Sequence, residues 1–169
     1  MNVFDAIRSK LDIREFGSTS VDNDVKRLTL EAARLSSSGL NSQHWRFILV
    51  DTREGLEKLA EISTTGKWIS GASFAVIVLT DPKYPYHDID AGRAIAYMQL
   101  AAWEKGVGSG IYTGFNEEKM RQEYKIPANM HISAVVGFGY PRKKIIGKKS
   151  RLPLTEIAYH MRYGNKLDL

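Results

Sequence analysis

The chain has 169 residues, of which 43% are apolar and 25% charged, and its basic side chains outnumber the acidic ones by five (24 against 19). That is enough chain for one domain with a real core, and no run approaches the roughly 20 apolar residues of a membrane helix. There is no cysteine, which excludes disulfides, thiolate nucleophiles and cysteine metal ligands, and leaves any redox chemistry to a bound cofactor.

The opening MNVFDAIRSK lacks the layout of a signal peptide, so a mature cytoplasmic protein is expected. A first helix is predicted over 3–11, where Val3, Ile7 and Leu11 recur four apart. It runs out in RSKLDIREF, three cations around Asp12. Cations there satisfy the helix dipole unaided. The same residues also read as an anion site, with Lys10 and Arg14 toward a phosphate and Asp12 accepting from a ligand hydroxyl or ring N–H.

A second helix over 22–35 puts Val25, Leu28, Ala32 and Leu35 on one face, capped by Ser20 or Asp22. SSSGLNSQHWRFILV follows, small polar residues set directly against a strand at 46–50. Turn chemistry accounts for them. A ligand held close to the backbone accounts for them equally well, with Asn41, Gln43, His44 and Trp45 alongside.

A helix over 53–62 precedes SFAVIVLT, 73–80, a strand apolar enough to be covered on both faces. The longest helix, 88–105, is apolar almost all round from Ala94 to Trp103, which makes it central and a candidate contact for a second subunit. GVGSGIYTGF comes after a helix, whereas a dinucleotide phosphate loop comes before one. Gly106 caps the helix, and Gly108, Gly110 and Gly114 imply backbone pressed against something flat. Strands at 109–113 and 132–138 bracket a helix over 117–124.

In RKKIIGKKSR the basic residues read as a solvated loop, or as a phosphate site if Lys149 and Arg151 share a side of an extended chain. The four histidines are scattered, and His87 and Asp88 with Asp90 read as a polar helix start, so no metal is expected. There is no GxSxG elbow. Basic runs without interleaved aromatics count against nucleic acid. The absence of repeats and linkers implies one domain over 1–169, and the alternating helices and strands imply an α/β or α+β class.

In order and spacing, KLDIREF, SSGLNSQHWRF, GVGSGIYTGF and KKSRLP resemble the motifs of the FMN-dependent nitroreductase family, over nearly the whole chain. The resemblance implies an α+β fold, a central mostly antiparallel sheet flanked by helices, in an intertwined homodimer with FMN at the interface. Carried over, it places Lys10, Leu11, Asp12 and Arg14 at the flavin, with Arg14 near the polar edge of the ring. Ser37, Ser38 and Asn41 line the ribityl chain and ring edge, from one subunit or the other. The backbone N–H groups of Thr113 and Gly114 lie beside N5, and Lys149 and Arg151 bind the phosphate.

The implied chemistry is hydride transfer from NADH or NADPH through flavin N5 to a nitroaromatic, quinone or similar acceptor, in ping-pong order. The departures carry information. Leu11 and Asp12 stand where the family has an arginine and a serine, and Asp12 also occurs in flavin-cleaving relatives. Ser37 and His44 replace prolines. The chain is short between the strand at 73 and the long helix, which implies an open pocket. Flavin-fragmenting chemistry and a non-catalytic FMN-binding module are the alternatives.

Overall fold

The structure is a computed structural model that describes residues 2–145 and 147–168; Ile146, within the basic cluster, lies outside the described residues. In chain order the elements are α1 (Val3–Ser9), α2 (Asn23–Arg34), β1 (Arg46–Val50), α3 (Arg53–Ile62), β2 (Phe74–Thr80), α4 (His87–Glu104), β3 (Gly108–Tyr112), α5 (Glu117–Tyr124), β4 (His131–Gly139) and α6 (Leu154–Ile157). Single 3-10 turns at Gly39–Asn41 and Lys67–Gly71 complete them.

The sheet is antiparallel throughout, in the order β1-β2-β4-β3. All seven residues of β2 are buried, as its unbroken apolar run requires. Alternate side chains serve two separate cores. Ala75, Ile77 and Leu79 join Leu56, Leu59, Met120 and Val135 on one face, under α3 and α5. Phe74, Val76 and Val78 join Ala94, Met98, Val136 and Phe138 on the other, under α2 and α4. There the Phe74 and Phe138 rings stack with centroids 4.7 Å apart.

Caps fix several ends. The Asn2 side chain accepts from the Asp5 N–H, Thr52 from Gly55 and Asn116 from Lys119. Gly106, just past α4, has φ +76, the left-handed conformation expected of a C-terminal glycine. Helix α1 stops two residues before the predicted 11, because Lys10 has left the helical region with ψ 123. Leu35, expected on the buried face of the second helix, is instead 62% exposed, since α2 ends at Arg34 and Leu35 is its C-cap. Among the described residues no helix is long and apolar enough to cross a membrane.

Truncating Phe138 removes one of the two stacked rings in a fully buried position. Phe138→Ala is expected to lower the free energy of unfolding in urea by about 3–5 kcal/mol.

Candidate functional site

After α1 the chain runs beside the outer strand of the sheet. Asp12 makes a parallel bridge with Ser109 of β3, and the Ile13 N–H donates to the Ser109 carbonyl at 2.8 Å. The strip continues through a Phe16–Pro141 bridge, and the Arg142 N–H donates to Glu15 O. Two glycines make this approach possible. A Cβ at Gly108 would meet the Ile13 side chain, and one at Gly110 would lie 2.7 Å from Ile13 O and 2.9 Å from the Trp68 ring.

Four charges converge on this strip. Lys10, largely buried, pairs with Asp12, whose carboxylate is 54% exposed. The Lys149 ammonium comes back from the C-terminal segment and donates to the Ile7 carbonyl. Burial, and then the charges of Arg151 and Lys10, push the Lys149 ammonium below its ordinary range, while Asp12 pulls the other way. Lys10, Lys149 and Arg151 therefore share one neighbourhood with a single carboxylate. Gly147 carries the tail over Leu11, where a Cβ would lie 3.0 Å from Leu11 Cδ1. Arg14 lies over the Trp68 ring, 5.9 Å from its centroid.

The serine-rich loop occupies a different place. Leu40, Asn41 and Gln43 all have left-handed backbone, φ 53, 53 and 47, a conformation that costs non-glycine residues free energy and persists only where neighbours hold it. What holds it is Asp90, a carboxylate on α4 that is fully buried. It accepts from the Gly39 N–H at 2.9 Å, from Arg93 at 3.1 Å, and faces His44 Nε2 at 3.1 Å. The Asp81 N–H donates to His44 Nδ1 at 3.3 Å. Since Nδ1 is the acceptor, Nε2 carries the proton and donates to Asp90. Ser38 Oγ accepts from the Gln43 N–H. Gly39 cannot be replaced cheaply, because a Cβ would lie 2.5 Å from the Tyr86 ring.

The third part follows β3. The Gly114 carbonyl accepts from the Thr64 N–H at 2.8 Å, the Thr65 N–H at 3.4 Å and Ser63 Oγ at 3.2 Å. A Cβ at Gly114 would strike Thr65 Oγ1 at 2.5 Å. Thus it is the chain itself, residues 13–14 and 64–65, that presses on Gly108, Gly110 and Gly114. Thr113 is exposed. Beneath this turn the buried Trp68 Nε1 and Tyr112 hydroxyl have no partner among the described residues, and burial raises the Tyr112 pKa, which keeps the hydroxyl protonated.

One chain does not bring all of these residues together. Asp12 sits at Ser109, level with Phe138 and Phe74. The Ser37–Asn41 loop leads into Arg46, level with Leu79 and Ile132. Five residues of strand and three strand spacings separate these corners, about 17 Å along the sheet and 14 Å across it. Local sequence signals missed Asp90, Trp68 and Ser63–Thr65, because their partners lie tens of residues away in the chain. The donor set at the Asp12 corner does fit a phosphorylated ligand, with three cations against one carboxylate that stands half in solvent.

The sequence pattern of the nitroreductase family matches residues 7–81 and 64–140. A protein of Archaeoglobus fulgidus, provisionally named an NADH dehydrogenase/NAD(P)H nitroreductase, is 38% identical over 149 residues, 80% of this chain and 83% of that one. A Bacteroides thetaiotaomicron protein under the same provisional name has a crystal structure that superposes with TM-score 0.87 at 25% identity, covering 95% of this chain and 98% of that one. An FMN-dependent nitroreductase of Clostridium difficile R20291 shares the fold at TM-score 0.85 and 24% identity, over 94% of this chain and 98% of that one.

Asp90→Ala strips Gly39 and His44 of their buried acceptor. It is expected to destabilise the protein by about 3 kcal/mol in thermal or urea unfolding. Amide exchange at Gly39 should speed up more than exchange in β2.

Proposed function

The chain belongs to the nitroreductase family, an oxidoreductase family, and we propose that it is an FMN-dependent NAD(P)H oxidoreductase reducing nitroaromatics, quinones or similar acceptors. When bound, FMN supplies the hydride chemistry, accepting from NADH or NADPH and delivering to the acceptor. The observation that carries the reading is the gathering of Lys10, Lys149 and Arg151 around Asp12. A phosphate there takes charge-assisted hydrogen bonds from the three cations. Lys10 turns from Asp12 to the phosphate, and the freed carboxylate accepts from a ligand hydroxyl. Arg14, steadied over Trp68, is a fixed cation that stabilises negative charge developing on a bound ring. Leu11 gives that corner an apolar wall beneath the tail.

The ring edge falls to Ser37, Ser38 and Asn41, on a loop whose left-handed backbone Asp90 and His44 hold ready before any ligand arrives. The Thr113 and Gly114 N–H groups, beside a carbonyl held by Ser63, Thr64 and Thr65, are assigned to the same ligand in this reading. The Ser37–Asn41 loop and the phosphate corner sit at opposite corners of one sheet, so one ligand meets both only where two copies contribute. Apolar side chains that a lone chain leaves in water support that homodimer. Val3 and Phe4 on α1 are 74% and 63% exposed, and Met161 and Tyr163 in the tail are 88% and 90% exposed. The proposed unit is one FMN-binding domain per chain, acting in the cytoplasm, with no nucleic acid or membrane among its partners.

Asp12 supports a second reading, flavin-fragmenting chemistry, because it places a carboxylate inside the cationic corner. Oxygen-dependent consumption of reduced FMN distinguishes it from simple NAD(P)H turnover with a quinone.

Quenching of flavin fluorescence tests the phosphate corner. The unaltered protein should bind one FMN per chain, and Lys149→Ala combined with Arg151→Ala should weaken the affinity about tenfold or more. Sedimentation should still give twice the 19.0 kDa chain mass. Undiminished affinity in the double variant removes the assignment.

A further inference from the structure

We propose that His87, Asp88 and His131 form a binding site for a divalent ion of the Zn2+, Co2+ or Ni2+ class, separate from the flavin corner. His87 and Asp88 open α4, and His131 opens β4, where it pairs with Thr80 at the end of β2. One donor atom from each residue lies within 4.8 Å of the other two. The Asp88 carboxylate oxygen stands 3.4 Å from His87 Nδ1 and 3.7 Å from His131 Nε2. Bonds of about 2.1 Å to a tetrahedral ion put ligand atoms about 3.4 Å apart. Two of the three donor pairs therefore already sit at nearly the spacing an ion requires, and the third lies within 4.8 Å.

The chemistry of the set selects the ion. Two imidazoles with one carboxylate suit borderline transition metals, whereas Mg2+ and Ca2+ take oxygen ligands. His87 Nδ1 lies 3.0 Å from the buried Thr80 hydroxyl, which lies 2.9 Å from Ser133 Oγ; an ion taken by Nδ1 displaces that contact, and Thr80 keeps Ser133 as its partner. The His87 and His131 rings meet edge-on with centroids 5.2 Å apart. Asp88 is 72% exposed, so water can complete the coordination from the solvent side.

Sequence spacing grouped Asp90 with His87 and Asp88. The structure assigns Asp90 to His44 and Gly39, and supplies His131 from a strand more than forty residues downstream. A bound ion ties the first turn of α4 to the start of β4, within one turn of the Asp90 anchor. Its role is to brace that corner.

The test is a titration of the chelator-treated, FMN-loaded protein with Co2+, read by its visible ligand-field absorption, and with Zn2+ by calorimetry. The expected result is one saturable ion per chain, lost in His87→Ala, Asp88→Asn and His131→Ala and retained in His160→Ala. Proton NMR of the unaltered protein with Zn2+ needs no variant, and it should shift the imidazole signals of His87 and His131 while leaving His44 unmoved. No saturable binding, binding that survives all three substitutions, or Zn2+-induced shifts confined to other histidines overturns the proposal.

Discussion

Strand β2 has no face in water, and that requirement arranges the other layers. Seven consecutive buried side chains demand cover on both sides, so α3 and α5 must pack on one face and α2 and α4 on the other. Apolar burial at about 25 cal/mol per Å2 makes exposing either side costly. With β2 central, β1 becomes one edge and β3 the other. The β3 edge is covered by the strip from Asp12 to Phe16, and two glycines let it lie close. The cationic corner thus follows from how one sheet edge is sealed.

The opposite corner depends on a single carboxylate. Asp90 is buried on α4 and must find its hydrogen bonds inside the protein. It finds them in Gly39, His44 and Arg93, and so converts a packing requirement of the long helix into the shape of a binding loop. Only six residues separate β2 from α4, so the link holding Asp81 against His44 is short and well tethered. Both corners are preorganised by contacts within one chain, yet each faces outward, toward groups that a second copy can bring.

Much of this was legible in the sequence, for physical reasons. β1, α3 and α5 begin and end where predicted; the apolar run FILV makes β1 visible, and Thr52 and Asn116 cap the starts of the two helices. β2 was visible from its unbroken apolar run. That the sheet is mostly antiparallel was legible only through family resemblance, and the strand order was not legible at all, since periodicity does not say which strands pair. Leu35 misled because helical spacing continued one residue past the true end of α2. The glycines after α4 were recognised as a close-approach device, but spacing could not say that Ile13, Trp68 and Thr64–Thr65 are what approach. Asp90 looked like a polar helix start, and its partner His44 lies 46 residues away. Such pairs leave no local signal.

The central claim is that this fold presents a flavin to a nicotinamide. The most direct measurement is the visible absorption spectrum of the protein after loading with FMN and removing the excess, recorded without oxygen before and after NADH or NADPH. The account predicts a retained flavin band that bleaches with the nicotinamide and returns on adding a quinone. A protein that retains no flavin, or a retained band that neither nicotinamide bleaches, would contradict it.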